Sequence, residues 1–397
     1  MRPEQHSRPV TRLSAAALAV TLVPVIGVGS ASAQDNNQAS SDNVSYTKAT
    51  SDNPVVESPL DDGRVIVSVY SPSMDIEVPN IVQFPANYED GDGQGADAPV
   101  LYLVNGAGGG EDAATWQAQS DVKTFMEDKN AYTVTPIGGA FSYYTDWDHP
   151  DPNVQTRFAS STKRMMFETY LAKELPQLFE AKYGDSDSSL PDFDEGDAAL
   201  PALDEDRGRT LSAISMTATS VLTIAQKHAG VFDGIGSFSG CAETSTPIGY
   251  QFINIVTGMR GGANLDNMWG PYPGDGWTDN DPVVNADKFV PQRDDGTLPA
   301  MWVTTGNGLP GPHESFDNWR LRNNIPALAN QAIVGGIIEA ATQYCTANLS
   351  RRFDELAIPA QFDFKPHGTH SWGYWQDDLH NSWPMFAEAM DVTPSGT

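Results

Sequence analysis

The sequence predicts an α/β fold around a mostly parallel central sheet flanked by helices. Three observations predict it. Short apolar runs rich in β-branched residues recur along the chain, amphipathic stretches of helical length separate many of them, and no second core is evident in the pattern. An apolar share of 40% over 397 residues is enough for one large core.

The first 33 residues stand apart. Arg2, Arg8 and Arg12 precede the apolar stretch LSAAALAVTLVPVIGVG, and Ala31-Ser32-Ala33 supplies the small residues of a cleavage site. That order reads as a secretory signal, since its apolar part is short for a permanent membrane span, the alternative being a signal anchor that stays in place. Residues 34–60 are polar and rich in Ser, Asn and Asp, which reads as a disordered linker. The fold proper is expected over 61–392, with 393–397 as a tail.

The predicted strands are VIVSVYS, NIVQFPA, PVLYLVN, YTVTPIG, RTLSAIS, GIGSFSG, AMWVTTG and AQFDFKP, in chain order. The predicted helices are DAATWQAQSDVKTFMEDK, KRMMFETYLAKELPQLFEAKYG, MTATSVLTIAQKHAG and PALANQAIVGGIIEAATQYC. Two segments interrupt the alternation. Residues 184–208 are acidic and contain two prolines, as expected of an exposed inserted loop. Within it DFDEGD lacks the spacing of a calcium loop. Residues 241–299 are rich in Gly, Asn, Asp and Trp and long enough to form a cap over the strand ends.

The formal charge of −29 becomes −31 once the export segment, with three Arg and one Glu, is set aside. Such a chain repels nucleic acid and anionic membranes. Cys241 and Cys345 are the only cysteines. In an exported chain an even pair reads as a disulfide, the alternative being two buried thiols. No CxxC spacing is present, so the cysteines fit no metal site.

The stretch APVLYLVNGAGGGED places four glycines directly after a predicted strand. Glu111 stands where a dinucleotide fingerprint needs its last glycine, and no Lys-Ser or Lys-Thr follows for a P-loop. A flexible turn remains, or a loop whose backbone N–H groups approach a reacting atom. RTLSAISMTATSVLTIAQKHAG runs strand, Ser215, helix: the layout of a nucleophile elbow, with Ala213 and Thr217 where glycines are usual. The alternative is a helix-capping serine. In the α/β-hydrolase fold the acid and the histidine follow the serine. His370, in HGTHSWGYW after the last strand, is the candidate base. Glu314, in GLPGPHESF after AMWVTTG, is the candidate acid, with Asp317 nearby.

At these residues the sequence resembles the mycoloyltransferases of mycolic-acid bacteria, the antigen 85 type, over about residues 65–390. ISMTATSVLT, GGAFSYYTDW, FETYLAKELP, NMWGPYPGDGWTDNDP, TTGNG and GTHSWGYW each have a counterpart there, in order. The resemblance implies an α/β-hydrolase fold, over which residues 241–299 would form the loop-rich cap, and a serine acyltransferase activity that needs no metal or organic cofactor. It places the nucleophile on Ser215, the acid on Glu314 and the histidine on His370. It makes the backbone N–H groups of Ala107 and Met216 the oxyanion donors, and Trp372 a sugar-site residue. Members that use trehalose carry Asp-Gly-Leu-Arg where this chain has Asn105-Gly106-Ala107-Gly108, so substrate contacts at Asn105 and Gly108 lose a charged acceptor and a guanidinium fork.

The implied partners are trehalose mycolate glycolipids as donor, with trehalose monomycolate, arabinogalactan or an envelope protein as acceptor, in the cell envelope. No integral membrane span is expected after signal cleavage. The cap and the aromatics Tyr143, Tyr144 and Trp147 are candidates for keeping water from an acyl-enzyme, the alternative for the aromatics being a place in the core. A secreted carboxylesterase with the same triad and a surface protein that only binds are the competing readings.

Overall fold

The computed structural model describes residues 45–88, 97–154, 163–184, 189–195, 198–289 and 298–392. The expected signal segment, the first part of the linker and the tail lie outside them. Alternation along each strand sets two apolar faces, and both are covered. On β4 (Val100–Val104), Val100, Tyr102 and Val104 enter the larger core while Leu101 and Leu103 enter the smaller one on the opposite face.

Nine strands form one sheet among the described residues. They are β1 (Val55–Pro59), β2 (Val65–Ser71), β3 (Ile76–Gln83), β4, β5 (Tyr132–Pro136), β6 (Arg209–Ile214), β7 (Gly234–Phe238), β8 (Ala300–Thr305) and β9 (Gln361–Phe364). Their order is β1-β2-β3-β5-β4-β6-β7-β8-β9. The pairings from β1 to β5 are antiparallel and those from β5 through β9 parallel, which agrees with a mostly parallel sheet.

Four helices matter for the site. α1 (Leu175–Tyr183) continues a helical run that begins at Phe167 and includes a π-helical stretch, Tyr170–Glu174. α2 (Met216–Lys227) follows β6 directly and packs on the larger core. α3 (Gly336–Leu356) is entered through Ile325–Asn330 and a π-helical turn, Gln331–Gly335. α4 (Trp372–Ala389) covers the other face with Trp375, Leu379, Trp383 and Phe386. α4 is not among the helices expected from the sequence. Its helical period is there, but with Pro384 inside it and two tryptophans at its start.

Three expectations are corrected. The described part of the expected linker, residues 45–60, is built into the fold. β1 pairs with β2, the Ala49 N–H donates to Ser68 Oγ (2.9 Å), and the Tyr46 hydroxyl reaches Glu77 Oε1 (3.0 Å). The polar composition hid a short edge strand whose stability comes from its neighbour. The acidic insert is also anchored: Leu190, Phe193, Leu200 and Leu203 pack against the core, and the Phe193 N–H donates to the Ser51 carbonyl (2.9 Å). Tyr143, Tyr144 and Trp147 are buried core residues rather than a wall of the site. The 241–299 segment joins that core through Trp269 and Trp277, and the Trp269 indole donates to Thr145 Oγ1 (3.0 Å).

The topology places the chemistry. β5 lies on one side of β4 and β6 on the other, so the strand order reverses at β4. In open sheets of this kind the crevice beyond the carboxyl ends at such a reversal is the natural binding place. The loops after β4 and β6 carry the glycine run and Ser215.

Candidate active site

β6 ends at Ile214 and the chain turns sharply into α2. Ser215 sits in the turn with φ 57° and ψ −124°, a region that non-glycine residues seldom occupy. Its side chain makes no capping bond to α2, which removes the helix-cap alternative. The Ser215 N–H is held by the Phe238 carbonyl of β7 (2.8 Å). Thr217, the residue that breaks the glycine pattern, is buried and donates through Oγ1 to the Asn105 carbonyl (2.6 Å). A glycine could not make that link between the elbow and the loop after β4.

The glycine run is explained by close backbone packing. A Cβ on Gly106 would stand 3.3 Å from Ser215 Cβ. Gly109 has φ +60°, and a Cβ there would meet the Gly138 carbonyl oxygen at 2.5 Å. The two loops are laced by Gly138 N–H to Gly109 O and Phe141 N–H to Ala107 O, both 2.8 Å. Among the described residues, the N–H groups of Ala107 and Met216 donate no hydrogen bond within the protein. Ala107 lies in the loop after β4, and Met216 is the first residue of α2, next to Ser215.

His370 joins the serine to a carboxylate. Its Nε2 lies 2.7 Å from Ser215 Oγ and its Nδ1 lies 2.8 Å from Glu339 Oε2. The carboxylate accepts from Nδ1–H, which leaves Nε2 as the acceptor for the serine hydroxyl. The His370 N–H donates to the Gly335 carbonyl (3.1 Å), and the ring stands edge-on to Trp375 with centroids 5.0 Å apart. Glu339 is fully buried on α3. Its Oε1 accepts from Ser239 Oγ and from the Gly306 N–H, both 2.7 Å. A buried carboxylate needs such donors, and here they aim its second oxygen at the histidine.

The expected acid, Glu314, is therefore corrected. It does not touch His370. Its Oε1 accepts from Thr369 Oγ1 (2.5 Å) and Gln331 Nε2 (2.7 Å), and its Oε2 from the Gly311 N–H (2.7 Å) and the Tyr374 hydroxyl (2.6 Å). Burial would raise its pKa, but these four donors outweigh burial and hold it below the usual carboxylate value. Glu339 escaped the sequence reading because it lies inside a helix rather than in a loop after a strand. One signal was available: it is the only carboxylate between Asp317 and Asp354, after a long uncharged stretch that begins beyond Arg322.

The expected sugar contacts also shift. Asn105 is buried, and its Oδ1 accepts from the Trp116 N–H (3.1 Å), so its carboxamide faces the fold. The space a side chain would take at Gly108 is held by the Asp112 carboxylate, 2.8 Å from the ideal Cβ position. Trp372 is the first residue of α4 and packs edge-on against Trp116 (5.4 Å) and Trp375 (5.2 Å). Cys241 and Cys345 are joined by a disulfide, with Cα atoms 5.0 Å apart.

A strained serine at a strand-to-helix turn, a histidine against it and a buried carboxylate behind, all at the carboxyl ends of a mostly parallel sheet, define an α/β-hydrolase fold. The chain belongs to the family described as putative esterase, whose profile matches residues 71–386. It is 28% identical over 334 residues to the diacylglycerol acyltransferase/mycolyltransferase Ag85A of Mycobacterium tuberculosis, covering 83% of this chain and 82% of that protein. It is 26% identical over 309 residues to Ag85B of Mycobacterium intracellulare, covering 76% and 78%. These relatives bear out the resemblance to the antigen 85 type. The crystal structure of Mycobacterium tuberculosis MPT51 (FbpC1) shares the fold, with a TM-score of 0.59 at 20% identity over 84% of this chain and 99% of that one. Among the described residues no helix is long and apolar enough to cross a membrane.

Proposed function

We propose that this protein is an exported serine acyltransferase that moves a mycoloyl group from a trehalose monomycolate-type donor to a hydroxyl acceptor. The observation that carries the reading is the unbroken relay Ser215–His370–Glu339. Ser215 Oγ attacks the ester carbonyl as its proton passes to His370 Nε2. Glu339 holds the ring in the required tautomer and stabilises the imidazolium. The backbone N–H groups of Ala107 and Met216 receive the tetrahedral oxyanion. Collapse breaks the ester bond, and the departing trehalose oxygen takes the proton from His370 to leave as a hydroxyl.

The acceptor hydroxyl then gives its proton to His370 and attacks the acyl-enzyme. The new ester departs, and Ser215 recovers its proton. Candidate acceptors are a second trehalose monomycolate, arabinogalactan or an envelope-protein hydroxyl. The inward turn of the Asn105 carboxamide and the missing side chain at Gly108 favour an acceptor other than trehalose. The same two features favour, as a second reading, a carboxylesterase that releases its acyl group to water.

The test is an acyl-transfer assay beside Ser215→Ala, with trehalose monomycolate alone and then with a Ser-rich envelope-protein peptide. Serine-dependent ester on either acceptor supports the transferase. Serine-dependent free acid alone replaces it with the esterase, and no serine-dependent product removes both.

A further inference from the structure

Glu314 is not the acid, yet it is held more tightly than a surface loop carboxylate needs to be. Its two oxygens are saturated by four donors from separate parts of the site. Thr369 is the residue before His370. Gln331 opens the π-helical turn that leads into α3 and Glu339. Tyr374 belongs to the first turn of α4, next to Trp375, whose ring is edge-on to His370 and whose indole donates to Ser239 Oγ (3.0 Å). Gly311 lies in the loop after β8. One carboxylate therefore ties the histidine loop, the entry to the acid helix and the helix that flanks the imidazole.

We propose that Glu314 is a positioning residue for this reaction, a carboxylate clamp that keeps His370 in register with Glu339. The proposal rests on the Ser215–His370–Glu339 reading. A charged acceptor serves this purpose because hydrogen bonds to an ion are the stronger kind, and because a carboxylate alone offers acceptor sites to four donors at once. A carboxamide in its place would point N–H groups at two of them. The clamp acts through position: a displacement of about 1 Å in a reacting group costs on the order of a hundredfold in rate.

The test uses the mature protein and the variants Ser215→Ala, Glu314→Gln, Thr369→Val and Tyr374→Phe. Each is measured for fluorophosphonate labelling, p-nitrophenyl butyrate turnover, melting temperature and the far-downfield proton signal of the His370–Glu339 bond. For Glu314→Gln, kcat and labelling rate should fall roughly tenfold or more with KM changed less than about twofold. The downfield signal should weaken while the melting transition stays cooperative. Thr369→Val and Tyr374→Phe should move the same readouts less far, and they keep the test open if Glu314→Gln does not fold. Labelling and turnover at the parent rate in the folded clamp variants would overturn the clamp alone. So would a loss of melting temperature without a change in kcat or the proton signal. A parent protein that is labelled no faster than Ser215→Ala would overturn the relay, and the clamp with it.

Discussion

The hydroxyl of Ser239 donates to the carboxylate of Glu339 at 2.7 Å, across the two segments that the Cys241–Cys345 disulfide joins. Ser239 lies just after β7 and two residues before Cys241. Glu339 and Cys345 lie on the buried side of α3. The disulfide thus staples the helix that carries the acid to the strand end that orients it.

Replacing Glu339 by Gln should leave Ser215 in place and remove the tautomer control of His370. The expected loss in kcat is about 10³- to 10⁴-fold, as for other triads that lose their acid. Steady-state turnover of a short-chain ester, with circular dichroism as the folding control, measures it. Activity near the parent level would return the acid role to another carboxylate.

Removing the disulfide with Cys241→Ser and Cys345→Ser should lower stability. The bridge closes a separation of 104 residues. Loop-closure entropy then sets a ceiling of about 4.7 kcal/mol, and chain structure in the unfolded state reduces it. Denaturant unfolding of the oxidised and the double-serine proteins gives the difference. Equal midpoints would show that α3 is held without the bridge.

Thr217→Gly restores the usual elbow spelling and should still harm the protein. It deletes the bond to the Asn105 carbonyl and places glycine in the first turn of a helix. The expected cost is about 1–2 kcal/mol of stability, with a drop in activity, because the loop that carries Ala107 is freed from the elbow. A stability or activity gain in thermal melts and ester turnover would contradict this.

Arg209 and Glu180 form a buried bidentate pair, with Nε to Oε1 at 2.5 Å and the second guanidinium nitrogen to Oε2 at 2.8 Å. The pair links β6 to α1 beneath the elbow strand. Glu180→Ala should cost roughly 3–5 kcal/mol, since it leaves a buried guanidinium unpaired. The double substitution of both partners by apolar residues of similar volume should recover much of that loss. Urea unfolding of the single and double variants separates the two outcomes.

The clamp carries a pH dependence of known sign. Glu314 has its pKa lowered in the folded protein, so its contribution is complete above the unfolded value of 4.5 and is lost as pH falls through the lower folded value. Stability at acid pH should therefore fall less steeply in Glu314→Gln than in the parent. Melting temperatures taken from pH 6 downward test this, and parallel curves would remove Glu314 from the acid transition.

Much of this architecture is written locally. Eight of the strands overlap runs read from the sequence, and the central ones, β4 to β7, are the plainest because they are buried at every position and so demand apolar or small residues in succession. Ser215 and His370 are legible because a strand-to-helix turn and a loop after the last strand are short-range features. β1 and the anchoring of the acidic insert were not, since polar segments acquire structure only from the surface they pack against, while the apolar period of α4 is interrupted by Pro384.

The choice of acid is only faintly marked in the sequence, by the isolation of Glu339 in an uncharged stretch. Glu314 and Glu339 both follow the serine and precede the histidine, and the loop position favours Glu314. What decides between them is where four hydrogen-bond donors and one imidazole converge in space. Thr369, Tyr374, Gln331 and Gly311 converge on Glu314, while Ser239, Gly306 and His370 converge on Glu339. The sequence by itself determined most strands of the sheet, the serine at the strand-to-helix turn and the histidine, through periodicity and turn chemistry. The carboxylate, the inward turn of Asn105 and the pairing of the cysteines were decided by tertiary structure, because each depends on contacts between elements far apart in the chain.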